Sequence, residues 1–355
     1  MSGGRSLEVV PVTGVGEVAA GDDLAALLLG ALVRSGVALG TGDCVVVSSK
    51  VVSKALGLTW DGSRESAVES ATVRVVAERV GEGGAVTRVV EAEAGPVMAA
   101  AGVDASNTGP GDTVLLLPRD PDGEARRLRA ALLGLLGLDD GAAFAVVLSD
   151  TAGRPWRNGL VDLAIGSSGL AVVDDLRGGL DHDGRPLAVT TRALADEVAS
   201  AADLVKGKVD GVPAAVVRGL DPSWFSVGAE GARSLVRTGP GDWFALGTAE
   251  AVRSALGAAP GSAEAADVGI ASVRPDEPLA ERVGRVVALT LLDVPGGSAD
   301  VGVDEAAGTA EVTLGADDPY DLGRLVVRCE VAAASESLTA TVSARTATTV
   351  ALVLS

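Results

Sequence analysis

Short and long apolar segments alternate along the first two thirds of the chain, and this alternation constrains the fold more than any other feature. The short segments, such as 7–12 and 44–49, are rich in Val and are typical of buried strands. The long segments have helical spacing, and one of them opens with Asp22 and Asp23, acids that the helix dipole favours in a first turn. The alternation extends to about residue 235. It predicts an α/β (α+β) fold with mixed β-sheets.

The other elements of this region are predicted by the same patterns. Helices are expected over 65–81, 120–137 and 192–204, strands over 142–150, 160–169 and 212–218, and a strand followed by a turn over 84–101. Aromatic residues make up only 2% of the chain. The core is therefore expected to consist of Val, Leu, Ile and Ala.

The composition changes near residue 238, after which the chain contains no lysine. We therefore predict a first domain over 1–238 and a small C-terminal α+β domain over 239–355, whose role the sequence does not reveal. A stretch rich in Gly, Ala and Pro near 256–266 predicts a linker. Beyond it the sequence predicts a helix over 280–293 and strands over 310–315, 324–331 and 337–344.

The charge and the scarcity of some residue types exclude several classes of protein. A net charge of −19 argues against nucleic acid and against an anionic membrane surface as partners. The single histidine, His182, excludes a multi-histidine zinc site. The N-terminus lacks the apolar core of a signal peptide, and no apolar run reaches the roughly 18 residues of a membrane span. We expect a cytoplasmic protein in which Cys44 and Cys329 are buried, inert thiols in strand-like runs.

All four lysines of the chain fall in two short segments. They are Lys50 and Lys54 in the first segment, at the end of a predicted strand, and Lys206 and Lys208 in the second. Lysine is a compact, flexible point charge suited to phosphate groups, and the pairs suggest an anion pocket on an acidic protein. Taken alone, the clustering is equally compatible with an anion pocket and with codon bias combined with chance.

Two aspartates stand where apolar segments give way to polar turns. Asp104 lies in GVDASN and Asp150 in LSDTAGR, where Thr151 follows it. Carboxylate and hydroxyl oxygens suit Mg²⁺ or Mn²⁺. The alternative is that each aspartate caps a turn, which for either residue alone is about twice as common. The chain has no GxxxxGK[ST] motif, so it is not a P-loop enzyme.

A series of longer blocks in fixed order carries a family resemblance. The blocks are PVTGVG, GDCVVVSSKVVSK, GVDASN, LLPRDPDG, SDTAGRPWRNGLVDLAIGSSG, DDLRGGLDHDGRPLAVT, ADEVASAADLVKGK and GVPAAVVRGL. From about residue 8 to 221 the chain resembles the coenzyme F420-0:L-glutamate ligase family, GTP-dependent enzymes that lengthen the tail of a deazaflavin cofactor. The resemblance also implies a homodimer.

The resemblance implies a role for particular residues. Metal binding falls on Asp104, Asp150 and Thr151, with Mg²⁺ or Mn²⁺ as the ion and K⁺ as a further candidate. GTP contacts fall on Val15, Gly16, Glu17, Val18, Ser49, Lys50, Lys54 and Asn107, and on a segment that starts with Lys206, Gly207 and Lys208 and ends at Pro213. Transfer of a γ-phosphoryl group would activate a carboxylate as an acyl phosphate, a reaction that depends on alignment and charge neutralisation. Asp150, Lys50 and Lys54 are then the predicted catalytic residues.

The chain departs from the family pattern at one of these positions. Where the family commonly has Gly-Glu, with the Glu as a further metal ligand, this chain has Gly207 and Lys208. A cation cannot ligate a metal, so this departure puts one metal site in question. The sequence leaves three functions open: the GTP-dependent ligase, acting on F420-0 or its dehydro form; a catalytically weakened relative that binds nucleotide or deazaflavin as a partner or regulator; and a ligase of the same fold that uses another acyl acceptor.

Five further polar positions, all outside the predicted metal and nucleotide sets, have their own predictions. Arg154 and Arg157 are equally compatible with binding of a substrate anion and with a surface turn. Asp196 and Glu197 are expected on a helix in contact with solvent. His182 is expected in a loop rather than as a base.

Overall fold

The structure is a computed structural model that describes residues 6–104, 113–238, 242, 244–272, 274 and 276–355. The chain forms two units. Unit 1 comprises Met1–Val73 and Glu91–Arg237, and unit 2 comprises Arg74–Val90 and Thr238–Ser355. The segment 74–90, which the sequence interpretation placed inside the first domain, therefore groups with the C-terminal unit.

The helices and strands have the following bounds in chain order. The helices are α1 (Leu24–Arg34), α2 (Ser49–Ala55), α3 (Arg64–Ser70), α4 (Pro121–Leu136), α5 (Leu194–Lys206), α6 (Thr248–Ala255), α7 (Ala263–Val268), α8 (Leu279–Leu291) and α9 (Pro319–Ser335). The strands are β1 (Glu8–Pro11), β2 (Cys44–Ser48), β3 (Thr59–Trp60), β4 (Thr72–Val80), β5 (Val86–Ala92), β6 (Val97–Ala99), β7 (Val114–Leu115), β8 (Ala145–Arg154), β9 (Arg157–Leu170), β10 (Asp174–Asp175), β11 (Thr191–Arg192), β12 (Ala214–Arg218), β13 (Phe225–Ser226), β14 (Ser298–Asp304), β15 (Thr309–Gly315), β16 (Ala340–Arg345) and β17 (Thr349–Leu354).

A six-stranded mixed sheet forms the centre of unit 1. Its order is β1-β12-β2-β8-β9-β13. Strands β2 and β8 run parallel, whereas the other neighbouring pairs are antiparallel. The predicted α/β (α+β) fold with mixed β-sheets is confirmed.

Strand β2 is apolar at successive positions because both faces of the sheet are covered. Val45 and Val47 pack in a core with side chains of α1 and α4. Cys44 and Val46 face the opposite way, into a core with side chains of α5. Burial raises the pKa of the Cys44 thiol far above its usual range, so the prediction of an inert buried thiol is confirmed for this residue.

The helix boundaries in unit 1 follow from local capping. Helix α1 begins after Asp23, whose side chain accepts a hydrogen bond from the backbone N–H of Ala26 at 3.0 Å. Helix α4 ends before Gly137, which has a left-handed φ of 67° that glycine adopts without strain. The predicted helices at these two places and over 192–204 are confirmed.

The prediction of one helix over 65–81 is wrong. Helix α3 ends at Ser70, and Thr72–Val80 is the strand β4. The β-branched residues that follow the helix, Thr72, Val73, Val75 and Val76, favour extended backbone, and this preference outweighs the helical spacing.

Unit 2 has its own antiparallel sheet in the order β14-β15-β17-β16, with a core that includes side chains of α8 and α9. The strand predicted over 324–331 is wrong, because this segment lies in α9. Leu325, Cys329 and Ala332 are buried at helical spacing on that helix. Cys329 is therefore a buried thiol, as predicted, but it lies on a helix.

The linker predicted at 256–266 is also wrong. Leu256 and Ala258 belong to the core of unit 2, and α7 begins at Ala263. Small residues pack helices closely, so a composition rich in Gly and Ala does not by itself identify a flexible segment. Among the helices that the structure describes, none is long and apolar enough to cross a membrane.

Candidate active site

The β8–β9 hairpin carries the carboxylates around which the site is built. Strand β8 pairs with β2 as far as Ser149, where β2 ends at Ser48 and α2 begins. Beyond that point β8 continues to Arg154 and pairs only with β9, so that Thr151 lies opposite Asp162. Asp150 was expected at the end of a strand, whereas it lies within β8 at the carboxyl end of the parallel pair.

Asp150 sits in surroundings that oppose its ionisation. Its pKa is raised to about 6, chiefly by burial, and the negative charges of Asp162 and Asp104 act in the same direction. Two groups act against this shift: the Ser49 hydroxyl, which donates to Asp150 Oδ1 at 2.9 Å, and the Thr151 backbone N–H. An added cation at this point would favour the ionised carboxylate.

Asp162 connects most of the polar side chains of the hairpin. It pairs with the buried Lys206 at 2.5 Å and accepts hydrogen bonds from Ser149 Oγ at 2.8 Å and from Thr151 Oγ1 at 2.7 Å. Burial alone would raise the pKa of Asp162, but the charge of Lys206 and these hydrogen bonds together lower it. The network fixes the Thr151 hydroxyl beside Asp150.

Sequence reasoning missed Asp162, although a signal was present. The residue interrupts the apolar run LVDLAIG, where a carboxylate that faces the core needs a cationic partner. Few lysines were available for that role. Lys206, which the resemblance assigned to GTP, has only 3% of its side chain exposed. Its ammonium group pairs with Asp162 and donates a hydrogen bond to Ser149 Oγ.

Helix α2 presents the first lysine pair on one face, four residues apart. Lys50 Nζ lies 2.7 Å from Asp104 Oδ2, which connects the helix to the second predicted metal ligand. Lys54 pairs with the exposed Glu17, within the segment 15–18 that the resemblance assigned to GTP. Both lysines are partly exposed.

The segment 15–18 contributes to the core as well as to the surface. The side chains of Val15 and Val18 belong to the hydrophobic core, whereas Gly16 and Glu17 are exposed. The glycine has a φ of 82°, which turns the chain between the two valines. A ligand at this segment would therefore meet backbone groups and Glu17 rather than the valine side chains.

Lys208 reaches the same hairpin from the end of α5. Gly207 ends that helix with φ 61° and ψ −172°, a combination that only glycine adopts without strain. The following Lys208 donates a hydrogen bond to Thr151 Oγ1. An ammonium group thus lies on the hydroxyl that the resemblance assigned to metal binding.

The remaining predicted positions have separate surroundings. Arg154 donates to Asn158 O at 3.4 Å, and its Nε is buried with no hydrogen-bond partner among the described residues. Arg157, His182 and Glu197 are exposed. The expectation that Asp196 is simply solvated is wrong, because its carboxylate accepts from the Ala164 N–H at 2.9 Å and burial raises its pKa.

The metal and nucleotide predictions remain predictions. In the part of the chain that the structure describes, no group of three or more His, Cys, Asp or Glu side chains has the arrangement of a metal site. Asn107, assigned to GTP by resemblance, lies outside the described residues. The site brings together three carboxylates, several hydroxyls and lysines, which is the kind of set that binds a polyphosphate with a hard cation.

The fold is a mixed α/β fold whose central sheet carries a cluster of carboxylates and lysines, and comparison with known proteins identifies a family of ligases. A family model described as F420-0:gamma-glutamyl ligase matches residues 14–219, more than half of the chain. The chain is 40% identical over 263 residues to the coenzyme F420:L-glutamate ligase of Methanopyrus kandleri, covering 69% of this chain and 100% of that protein. It is 38% identical to the enzyme of that name from Methanothermobacter thermautotrophicus, covering 60% and 89%, and 39% identical to that of Archaeoglobus fulgidus, covering 61% and 88%. This chain belongs to the F420-0:gamma-glutamyl ligase family.

Proposed function

We propose that this protein is a cytoplasmic ligase that adds L-glutamate to coenzyme F420-0, or to its dehydro form, with GTP and a divalent cation. Family membership supports glutamate ligation in coenzyme F420 biosynthesis. The observation that carries the proposal is the partly buried Asp150 carboxyl in the field of Asp104 and Asp162, two aspartates that are themselves paired with Lys50 and Lys206. The resemblance adds that the active form is a homodimer.

The residues present fit a divalent cation. Asp104, Asp150 and Thr151 supply hard oxygen donors of the kind that Mg²⁺ and Mn²⁺ prefer, and K⁺ is a further candidate. The raised pKa of Asp150 supports this assignment, because a bound cation would stabilise its ionised form. When bound, the cation would supply charge neutralisation on the phosphates.

The chain's own residues bind and align the reactants. Lys50 and Lys54 would hold the phosphates, exchanging their contacts with Asp104 and Glu17 for contacts with the nucleotide. An oxygen of the acceptor carboxylate attacks the γ-phosphorus, the bond to GDP breaks, and an acyl phosphate forms. The amine of glutamate then attacks the acyl carbon, phosphate leaves, and the amine loses a proton as the amide forms. Holding the two reactants in line contributes more to this reaction than covalent catalysis by the protein does.

One contact favours a second candidate function. Lys208 donates to Thr151 Oγ1, so a fixed positive charge occupies part of the space where a cation would bind that hydroxyl. A protein in which this contact persists would bind nucleotide or deazaflavin without ligating glutamate, and would act as a partner or regulator. Lys208→Glu is the variant that separates the two functions.

The test is mass spectrometry of the protein incubated with F420-0, GTP, L-glutamate and Mg²⁺ or Mn²⁺. A GTP-dependent product heavier by one or more glutamyl units establishes the ligase and gives the number of residues added. Omission of each component in turn serves as the control. If GTP binds but no product forms, and Lys208→Glu restores the product, the second candidate function is correct.

A further inference from the structure

A largely apolar pocket in unit 1, whose lining includes Ala101 three residues before Asp104, has no role in the mechanism above. Its volume is about 290 Å³, near the lower end of the range for small-molecule sites. Large apolar side chains and four alanines form most of its wall, and three polar residues complete it: Ser70, Glu93 and Arg119. Trp60 is one of only four tryptophans in a chain with 2% aromatic residues.

Backbone hydrogen bonds tie the pocket walls to the candidate active site. The Asp104 N–H donates to Leu115 O at 3.1 Å, and the Leu115 N–H donates to Asp104 O at 2.8 Å. The next residue, Leu116, lines the pocket and donates its N–H to Leu58 O at 3.0 Å. Leu58 in turn donates to Ser53 O at 2.9 Å, one residue before Lys54. Backbone hydrogen bonds therefore connect the pocket walls to Asp104 and to α2, the helix that carries Lys50 and Lys54.

The pocket presents an aromatic face and an exchangeable ion pair. The indole N–H of Trp60 donates to Ser66 Oγ at 2.9 Å, a bond in the plane of the ring that orients the indole and does not occupy its faces. Arg119 Nε pairs with Glu93 at 2.8 Å, and the arginine side chain is 82% exposed. A guanidinium has five N–H donors, so this pair leaves donors for an anionic group on a ligand.

We infer that this pocket is the acceptor subsite, in which the planar deazaflavin ring stacks on Trp60 while its anionic tail passes Arg119 towards Asp104. The inference rests on the proposed function. Glutamate is a poor occupant, because it is charged at both ends and buries little apolar surface. The resemblance assigns GTP to other segments: 15–18 and 206–213 flank the paired strands β1 and β12, and they contribute no residue to the pocket.

The experiment compares Trp60→Ala with variants that keep an aromatic ring. For each protein the KM values for F420-0, GTP and glutamate are measured, together with the Kd for F420-0 alone by calorimetry. Trp60→Ala is expected to raise the KM and Kd for F420-0 about tenfold, as removal of a stacking partner does. The KM values for GTP and glutamate are expected to stay unchanged.

Trp60→Phe and Ser66→Ala are the matched controls, because both remove the indole hydrogen bond and keep a ring. We expect both to bind F420-0 within about threefold of the unaltered protein, since stacking and not the hydrogen bond supplies the affinity. Ala71→Leu places a larger side chain on the pocket wall, leaves Trp60 unaltered and is expected to reproduce the tenfold loss, which keeps the test valid if Trp60→Ala does not fold.

The outcomes separate the subsite from the function. If F420-0 binding is unchanged in Trp60→Ala and Ala71→Leu, or if the KM for GTP or glutamate rises instead, the subsite is overturned even when ligation proceeds. If the unaltered protein makes no product but binds F420-0 with an affinity that depends on Trp60, the proposed function fails and the subsite stands. If the unaltered protein neither forms product nor binds F420-0, both the proposed function and the subsite are overturned.

Discussion

The surroundings of Asp150 disfavour its ionised form, and a bound cation would favour it. Burial and the negative charges of Asp162 and Asp104 raise the pKa of its carboxyl to about 6. Groups with such shifts cluster at functional sites, because the energy that opposes ionisation is recovered when a ligand binds.

Replacement of Asp150 by Asn is expected to abolish turnover, by a factor of at least about 100, because the amide has the same shape but cannot offset a cation's charge. Steady-state ligation with GTP measures the effect. Asp175→Asn, at an exposed carboxylate paired with Arg177, is the control and should retain full activity. Substantial turnover in Asp150→Asn would rule out the metal assignment.

The same carboxyl predicts a pH dependence of stability in the presence of a chelator. The pKa is about 6 when folded and about 4 when unfolded. Between these values the folded state binds a proton that the unfolded state lacks, so the stabilising contribution of this group is present below pH 4 and is lost as the pH rises to 6. The unfolding free energy relative to Asp150→Asn should fall by up to about 3 kcal/mol across this window.

Urea unfolding of both proteins from pH 4 to 7 measures that difference, since other titrating groups cancel between them. Excess Mg²⁺ or Mn²⁺ at pH 7 should restore stability to the unaltered protein only. A difference that is independent of pH would show that Asp150 titrates normally and needs no cation.

At the scale of elements, the β8–β9 hairpin depends on a buried ion pair from α5. Lys206 and Asp162 are each about 3% exposed, and the pair also orders Ser149 and Thr151. Breaking a buried pair leaves a charge without a partner, whereas replacing both members with apolar residues is often tolerated.

Lys206→Met is therefore expected to lower the unfolding free energy by about 3–5 kcal/mol. The double variant Lys206→Met with Asp162→Leu should recover most of that loss, because no charge then remains buried. Denaturant unfolding measures both. Arg177→Met, which breaks the exposed pair with Asp175, serves as the matched control and should leave the unfolding free energy nearly unchanged, because solvent screens this pair. A similar loss in the single and double variants would contradict the buried-charge explanation.

Helix α2 provides the second prediction at this scale. Lys54→Met removes a charge that the proposed mechanism places on a phosphate, so the KM for GTP should rise about tenfold while the KM for glutamate stays constant. Lys54→Arg keeps the charge and should recover most of the affinity. An unchanged KM for GTP in the methionine variant would remove Lys54 from the nucleotide site.

The elements show how far the sequence could be interpreted. Strand β2 and helices α1 and α4 were predictable, because apolar periodicity and capping residues such as Asp23 agree there. Helix α9 was mistaken for a strand because LVVRC is β-branched, although its burial has helical spacing. Asp162 was not predicted, because its importance depends on Lys206, which is 44 residues away and comes near only in the fold.

At the scale of the whole molecule, the second unit is discontinuous in sequence. The chain leaves unit 1 within β4 and returns within β5, so unit 2 contains residues 74–90. The change of composition after about residue 238 indicated the later boundary, but no local signal marks the earlier one, because β4 and β5 have the composition of ordinary strands. The contacts that assign the hairpin to unit 2 connect residues that are far apart in the sequence.

Those contacts predict the consequence of truncation. Within unit 2, Glu78 accepts from the Gly261 N–H at 3.0 Å, Val76 O accepts from the Gly247 N–H at 2.9 Å, and Arg79 pairs with Glu250. A protein that ends at Arg237 keeps the hairpin and loses all three partners. It should aggregate, because strands without partners pair with other copies.

A second truncated protein, in which a two-residue Asn-Gly turn also replaces 74–90, should be monodisperse with a higher unfolding temperature. The turn fits because Glu93 N donates to Ala71 O at 2.9 Å, which holds the flanking chain ends side by side. The enzyme of Methanopyrus kandleri is matched over its whole length by 69% of this chain, so a shorter ligase is feasible. Size-exclusion chromatography and thermal unfolding compare the two proteins. If the two truncated proteins behave alike, residues 74–90 do not depend on the rest of unit 2. A single cut at residue 238 would then be enough to separate the two parts of the chain.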